Sequence, residues 1–251
     1  MPLFRILLVV LSACLGQIAW ADALRIVSEP WAPYVYEEEG KLRGLDYEAS
    51  SVVLKRLGID VQWNLMPWKR CLTALESGQA DGVLDIFRTP EREAWMAFPG
   101  EPLSDVQFVL FYARQRPYPF RRMADLQGLK VGVSPGYWYA NQVFRTSPLF
   151  IREPAPTHEA NLGKLVRDRV DLVVNDRRAG RYLIQQMGLA AEIGQHPQVV
   201  SRDRQYLAFR RTPHLERLAV RFGEALRRFK REPAYAELVA RYREPGAGNL
   251  R

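Results

Sequence analysis

The chain has only two cysteines, Cys14 and Cys71, in 251 residues. Cys14 lies in an N-terminal apolar run that reads as a removable leader, so one thiol remains and an internal disulfide is excluded. Three histidines, His158, His196 and His214, stand far from one another and from Cys71. That spacing leaves no motif for a cysteine–histidine nucleophile and no cluster of zinc-ligand type. There is no Walker loop and no Rossmann glycine fingerprint, which removes the common nucleotide-binding signatures. No segment repeats at a solenoid period. Beyond the leader no apolar run approaches the length of a membrane span. The net charge of +8 is not gathered into one block, which argues against a nucleic-acid partner. Neither a cofactor nor a metal is expected.

Residues 1–21 carry the features of an export signal. Arg5 is the positive head, Ile6 to Ala13 the apolar core, and Ala19-Trp20-Ala21 a small-x-small cleavage site. The mature chain is expected to begin at Asp22, in the periplasm. A second processing route stays open, because Leu11-Ser12-Ala13-Cys14 resembles a lipobox that would place a lipid on Cys14; retention as an anchor is the third. The composition, 47% apolar and 25% charged, is that of a globular chain long enough for one large core or two small ones.

The stretch from Asp81 to Gly100 is the clearest local signal. Val83 to Phe87 is an apolar run interrupted by Asp85, Arg88-Thr89-Pro90 is a polar turn, and Glu91 and Arg92 follow. A strand ends there and a helix starts, with Thr89 as cap and Pro90 at the first helical position. Free N–H groups at such a start, with Arg92 in the first turn, suit a carboxylate. A capped helix with a solvated arginine satisfies the same pattern. Asp85 is either paired with Arg88 or Arg92, or turned to a cleft where it meets a ligand's cationic group.

Strand and helix patterns alternate through the remainder. Leu24–Ser28 is a first strand, and Glu29-Pro30-Trp31-Ala32-Pro33-Tyr34 is a rigid loop at its end, where open α/β sheets bind ligands. Asp46 reads as the cap of a helix carrying Val53, Leu54 and Leu57. Pro67-Trp68 opens the next helix, with Cys71 in its core face. Trp31 and Trp68 are either packing residues or two indoles facing each other across a ligand. Val106–Ala113 is a long strand, and Val131–Val133 restarts a second unit, followed by Ser134-Pro135-Gly136-Tyr137-Trp138. Val170–Val174 is a strand ended by Asn175-Asp176, where a carboxylate serves as a helix cap or meets a ligand. Gln205–Phe209 is the last strand; Leu215, Leu218, Phe222, Leu226 and Phe229 form an apolar helical stripe.

Together these motifs resemble the periplasmic solute-binding proteins of family 3, which serve polar amino acid ABC transporters. The resemblance rests on Thr89 and Arg92, on Pro33-Tyr34 with Gly40, Gly44 and Asp46, on Trp68 to Asp81, on Asp125 to Val133, and on Val170 to Asp176. It covers nearly all of the mature chain. It implies an α/β, two-lobed periplasmic binding protein fold with two crossing hinge strands: lobe I from residues 22–108 and 205–251, lobe II from 109–204. It also implies roles: Arg92 for an α-carboxylate, Trp31 and Trp68 for stacking, Gly136 and Tyr137 in the carboxylate loop, Asp176 for an α-ammonium. With Glu29, Asp85 and Phe87 these are the expected ligand-binding residues. Phe87 and Tyr137 stand where the family has small hydroxyl residues, the second narrowing the pocket or altering the ligand, and Arg167 stands where the family has glycine. The implied function is capture of an amino acid or related carboxylate by a monomer that passes it to an ABC permease, without chemistry. One rival is a dehydratase of cyclohexadienyl acids with Glu29 or Asp85 as acid or base; the other is a sensory protein whose closure signals to a membrane receptor.

Overall fold

The computed structural model describes residues 23–242. The expected leader, its cleavage before Asp22, and Cys14 lie outside them. In lobe I, β1 (Leu24–Ser28) pairs in parallel with β4 (Val61–Leu65) and with β5 (Gly82–Phe87). β5 is buried along its whole length between parallel β1 and the antiparallel segment Gln205–Phe209, as suits a mostly apolar run inside a sheet covered on both faces. The hairpin of β2 (Tyr36–Glu38) and β3 (Lys41–Arg43) precedes α1 (Leu45–Arg56), and α2 (Trp68–Glu76) precedes β5. Cys71 in α2 is a buried core residue whose thiol burial pushes up to about 12. After β5 come α3 (Pro90–Glu93) and β6 (Met96–Ala97).

β7 (Asp105–Ala113) leads into lobe II, where β8 (Lys130–Val133), α4 (Gln142–Thr146), β9 (Ile151–Pro154), α5 (His158–Val166), β10 (Leu172–Asp176) and α6 (Arg177–Gln186) follow. β11 (Ile193–Arg210) returns to lobe I, where α7 (Pro213–Phe229) and α8 (Pro233–Arg241) complete it. The strand order is β4-β1-β5-β11-β7-β10-β8-β9, with β6 on β11. β7 and β11 therefore join two α/β lobes. Where they cross, Leu103 N–H donates to Gln205 O at 2.7 Å and Gln205 N–H to Ser104 O at 2.9 Å.

β11 is far longer than the expected Gln205–Phe209. Its first half pairs with β7, and the pairing breaks register between Gln195 and Val199. Pro197 sits in that irregularity, where its missing N–H costs no ladder bond. The apolar stripe of α7 behaves as expected: Leu215, Leu218, Phe222, Leu226 and Phe229 are all buried in the lobe I core with Val53, Leu54 and Phe209. Lobe II has its own core around Phe108, Leu110, Phe144, Leu172 and Val174.

One expectation is corrected here. Asp46 does not cap α1. Gly44 holds that position with φ 128°, and no side chain caps the helix. A Cβ on Gly44 would lie 2.2 Å from the Tyr34 carbonyl oxygen, so only glycine admits the approach. The carbonyls of Pro33 and Tyr34 thereby take the N–H groups of Leu45, Asp46 and Tyr47. The Asp46 carboxyl is left free to turn inward, where it is 1% exposed.

Candidate functional site

The site begins with the start of α3. Thr89 Oγ accepts from Arg92 N–H at 3.3 Å and Pro90 occupies the first turn, as the sequence pattern predicts. This short turn carries Arg92 back toward β5, where its Nη1 donates to the Phe87 carbonyl at 2.8 Å. The guanidinium also lies over the Trp68 ring at 5.7 Å. Desolvation pulls Arg92 down to about 10, and it forms no ion pair among the described residues.

Arg92 lines a cavity between the lobes together with Ser28, Glu29, Trp31, Trp68, Asp85, Phe87, Gly136, Tyr137 and Trp138. Eight of the nine expected residues are thus brought together, from the ends of β1 and β5, the start of α2 and the loop after β8. The space open to the centre of a water molecule is about 10 Å³, room for about one water. Trp31 and Trp68 do not face each other directly. Tyr137 stands edge-on to both, at 5.7 Å and 70° to Trp31 and at 6.4 Å and 69° to Trp68. Gly136 causes this: with φ 77° and its Cβ direction 3.4 Å from Trp68 Cδ1, it brings the turn against the indole and places Tyr137 between the rings. Phe87 packs edge-on to Trp31 and to Phe108.

Tyr137 also bridges the cleft through its hydroxyl. Tyr137 Oη donates to Glu29 Oε2 at 3.0 Å and lies 3.0 Å from His158 Nε2, with His158 Nδ1 3.4 Å from Ser134 Oγ. Glu29 belongs to lobe I, and Tyr137 and His158 to lobe II. Burial raises the Glu29 carboxyl and pushes His158 down to about 4. His158 is the residue that sequence reasoning missed. It stacks on Trp31 at 6.2 Å and 11°, and its only local signal is the capping Thr157 before it. Ser28 and Trp138 were missed as well, though each adjoins an expected site residue.

Asp85 sits in a β-bulge. Between the pairs Tyr206–Ile86 and Ala208–Val83, Leu84 and Asp85 oppose Leu207 alone, and Asp85 takes φ 61°. Bulges of this kind re-aim a side chain. Among the described residues no N–H or hydroxyl donor reaches either Asp85 oxygen, or Oδ2 of Asp46. The two buried carboxyls are neighbours that act on each other electrostatically, while Ser104 Oγ donates to Asp46 Oδ1 at 2.5 Å. Burial, and then the neighbouring acid, push Asp85 well above the carboxylate range, and burial raises Asp46 to about 6. Both shifts favour the protonated form of the pair.

Asp176 is the expected residue that the structure does not bring to this cavity. It is the N-cap of α6. Its Oδ1 accepts from Arg178 N–H and Ala179 N–H at 3.0 Å each and from the Tyr34 hydroxyl at 2.9 Å. Its Oδ2 accepts from Gln107 N–H at 3.0 Å. Desolvation raises this carboxyl, and four protein donors share its two oxygens.

The comparisons agree with this architecture. The chain is 23% identical over 214 residues, 84% of its length and 79% of the other's, to the probable amino-acid-binding protein YxeM of Bacillus subtilis (strain 168). Its structure is similar to a histidine kinase sensor domain with similarity to periplasmic binding proteins, with TM-score 0.79 and 22% identity over 88% of this chain and 96% of that one. It is also similar to an ancestral arginine-binding protein bound to arginine, with TM-score 0.76 and 23% identity over 88% and 98% of the two chains. Likenesses at that identity show the fold. The family described as bacterial extracellular solute-binding proteins, family 3, matches residues 24–245, and the chain belongs to it.

Proposed function

We propose that the protein captures an amino acid or related carboxylate in the cleft between its lobes and passes it, chemically unchanged, to an ABC permease. The observation that carries this reading is Arg92, a half-buried cation on the cavity wall that forms no ion pair among the described residues. An unpaired cation taken from water is costly, and a ligand carboxylate supplies the missing two-pronged acceptor. Trp31 and Trp68 supply the apolar walls that such sites use. The amino-acid class is supported by the likeness to the probable amino-acid-binding protein YxeM and to the arginine-bound ancestral protein. Because the closed cavity admits only about one water, an amino acid enters when the lobes part at the β7 and β11 crossings and Tyr137 withdraws.

Export to the periplasm belongs to the same proposal. Osmotic-shock fluid should contain a chain that starts at Asp22; a diacylglyceryl group on Cys14 would replace that form by an anchored one. The binding test is a thermal-shift screen of the refolded mature protein against the L-amino acids and short mono- and dicarboxylates. A saturable rise with members of one class supports capture, and no response to any of them counts against it. Turnover of a cyclohexadienyl carboxylic acid would move the reading to an enzyme. A signalling role is the second reading, favoured by the likeness to a kinase sensor domain; a deletion strain that keeps solute uptake but loses a transcriptional response would select it.

A further inference from the structure

We propose that Asp85, with the carboxyl of Asp46 behind it, seats the cationic group of the ligand, and that this docking releases a proton. This rests on the capture reading above. It assigns the ligand's cationic end to lobe I, whereas the resemblance implied Asp176 in lobe II.

Three observations carry it. Asp85 lines the cavity, is 6% exposed, and is turned there by a bulge at φ 61°. That backbone region is uncommon for a residue with a side chain, and bulges are one way a strand re-aims one. Its carboxyl meets no protein N–H or hydroxyl, so its acceptor capacity is left open to a ligand. Independently, the indole N–H groups of Trp31 and Trp68, residues 4% and 8% exposed, have no acceptor and belong to the same cavity wall. With Arg92 they make three donors gathered for an anionic group. A cavity with donors for an anion and one carboxyl free of protein donors matches a ligand that carries both ends. Asp176 is already engaged by four protein donors and stands outside that wall.

The charged and titratable groups around the pair come from several elements. Ser104, just before β7, donates to Asp46. Lys230, after α7, and Arg178, in α6, act on Asp46 at a distance, and Tyr34 and Tyr235 also feel it. Lys230 is engaged by Glu101 and the Pro102 carbonyl. Tyr137 faces Asp85 from lobe II, and Glu29 and Arg92 share the cavity. No cation among the described residues forms an ion pair with Asp85, so a ligand cation would be the first to compensate its charge. The docking step is then an exchange: an ammonium or guanidinium takes the carboxylate of Asp85, and the proton passes to solvent.

The test is calorimetry at pH 7 in two buffers of different protonation heat, using the L-amino acids and, for each that binds, the same acid without its amine. The expected result is release of close to one proton with the amino acid and none with its amine-free analogue. Asp85→Asn should abolish the release and weaken amino acid binding at least about 30-fold. Asp46→Asn, which leaves Asp85 without an acidic neighbour, should bind with less release; circular dichroism checks that both variants fold. An amino acid that binds the parent without proton release overturns the proposal, as does unchanged affinity in folded Asp85→Asn. Binding by amine-free acids alone also overturns it while leaving solute capture intact. If neither class binds, capture fails first and this assignment falls with it.

Discussion

The hydroxyl of Tyr34 in lobe I donates to Oδ1 of Asp176 in lobe II at 2.9 Å, across 142 positions of sequence. The bond ties the lobes together behind the cavity and completes the cap of α6. Tyr34→Phe removes one donor from a buried carboxylate, and Asp176→Asn weakens the cap. Each should lower unfolding free energy by about 1–3 kcal/mol while solute affinity changes little. Urea denaturation beside calorimetry checks this. Intact stability with lost binding in Asp176→Asn would return that residue to the ligand.

Arg92→Ala should do the reverse. It removes a half-buried cation without an ion-pair partner, so the melting midpoint should hold or rise. Affinity for a carboxylate-bearing solute should fall by about 2–5 kcal/mol, or roughly 30-fold to several thousand-fold. Scanning calorimetry and isothermal titration on one preparation give both numbers. Full affinity in the folded variant would remove the carboxylate role.

His158 should make stability depend on pH. Burial pushes it down to about 4 from its usual 6.5, so the unfolded chain takes up the proton first. Its contribution is whole above about 6.5 and is lost as pH falls through about 4. Between those limits the loss amounts to up to about 3 kcal/mol. Subtracting the unfolding free energy of His158→Gln from that of the parent at several pH values isolates it, because Asp46 and the other acids titrate in both proteins. A difference that stays flat from pH 4 to 6.5 would contradict the burial.

Tyr137 should hold the cleft shut. Its hydroxyl is the link from Glu29 to His158 across the lobes. Tyr137→Phe keeps the ring between the indoles and removes that link, so the solute-free variant should sample more open forms. Small-angle scattering should show a larger radius of gyration for the variant without solute, and the same radius as the parent once both are saturated.

Much of this protein is determined by short-range rules that act within the sequence itself. The Leu215–Phe229 stripe fixes the buried face of α7 by its helical period. Thr89 and Pro90 start α3 because an N-cap oxygen and a ring without N–H suit that turn. The alternation of strand and helix patterns, with the restart near Val131, foretells two α/β units. Trp31, Trp68, Phe87, Arg92 and Tyr137 stand at strand ends and helix starts, which collect on one side of such sheets. Other features required the tertiary structure, because their partners lie far apart in the chain. Asp46 reads locally as a cap, yet the close approach that Gly44 permits gives the helix start to backbone carbonyls and leaves the carboxyl buried against Ser104. The first half of β11 is hidden by Pro197, which reads as a break and sits in an irregularity of the ladder. Tyr137 between two indoles, and Tyr34 against Asp176, exist only once β7 and β11 bring the lobes together. Local propensity reaches only a few residues along the chain, whereas the partner of a buried polar group is chosen by strand order and lobe closure.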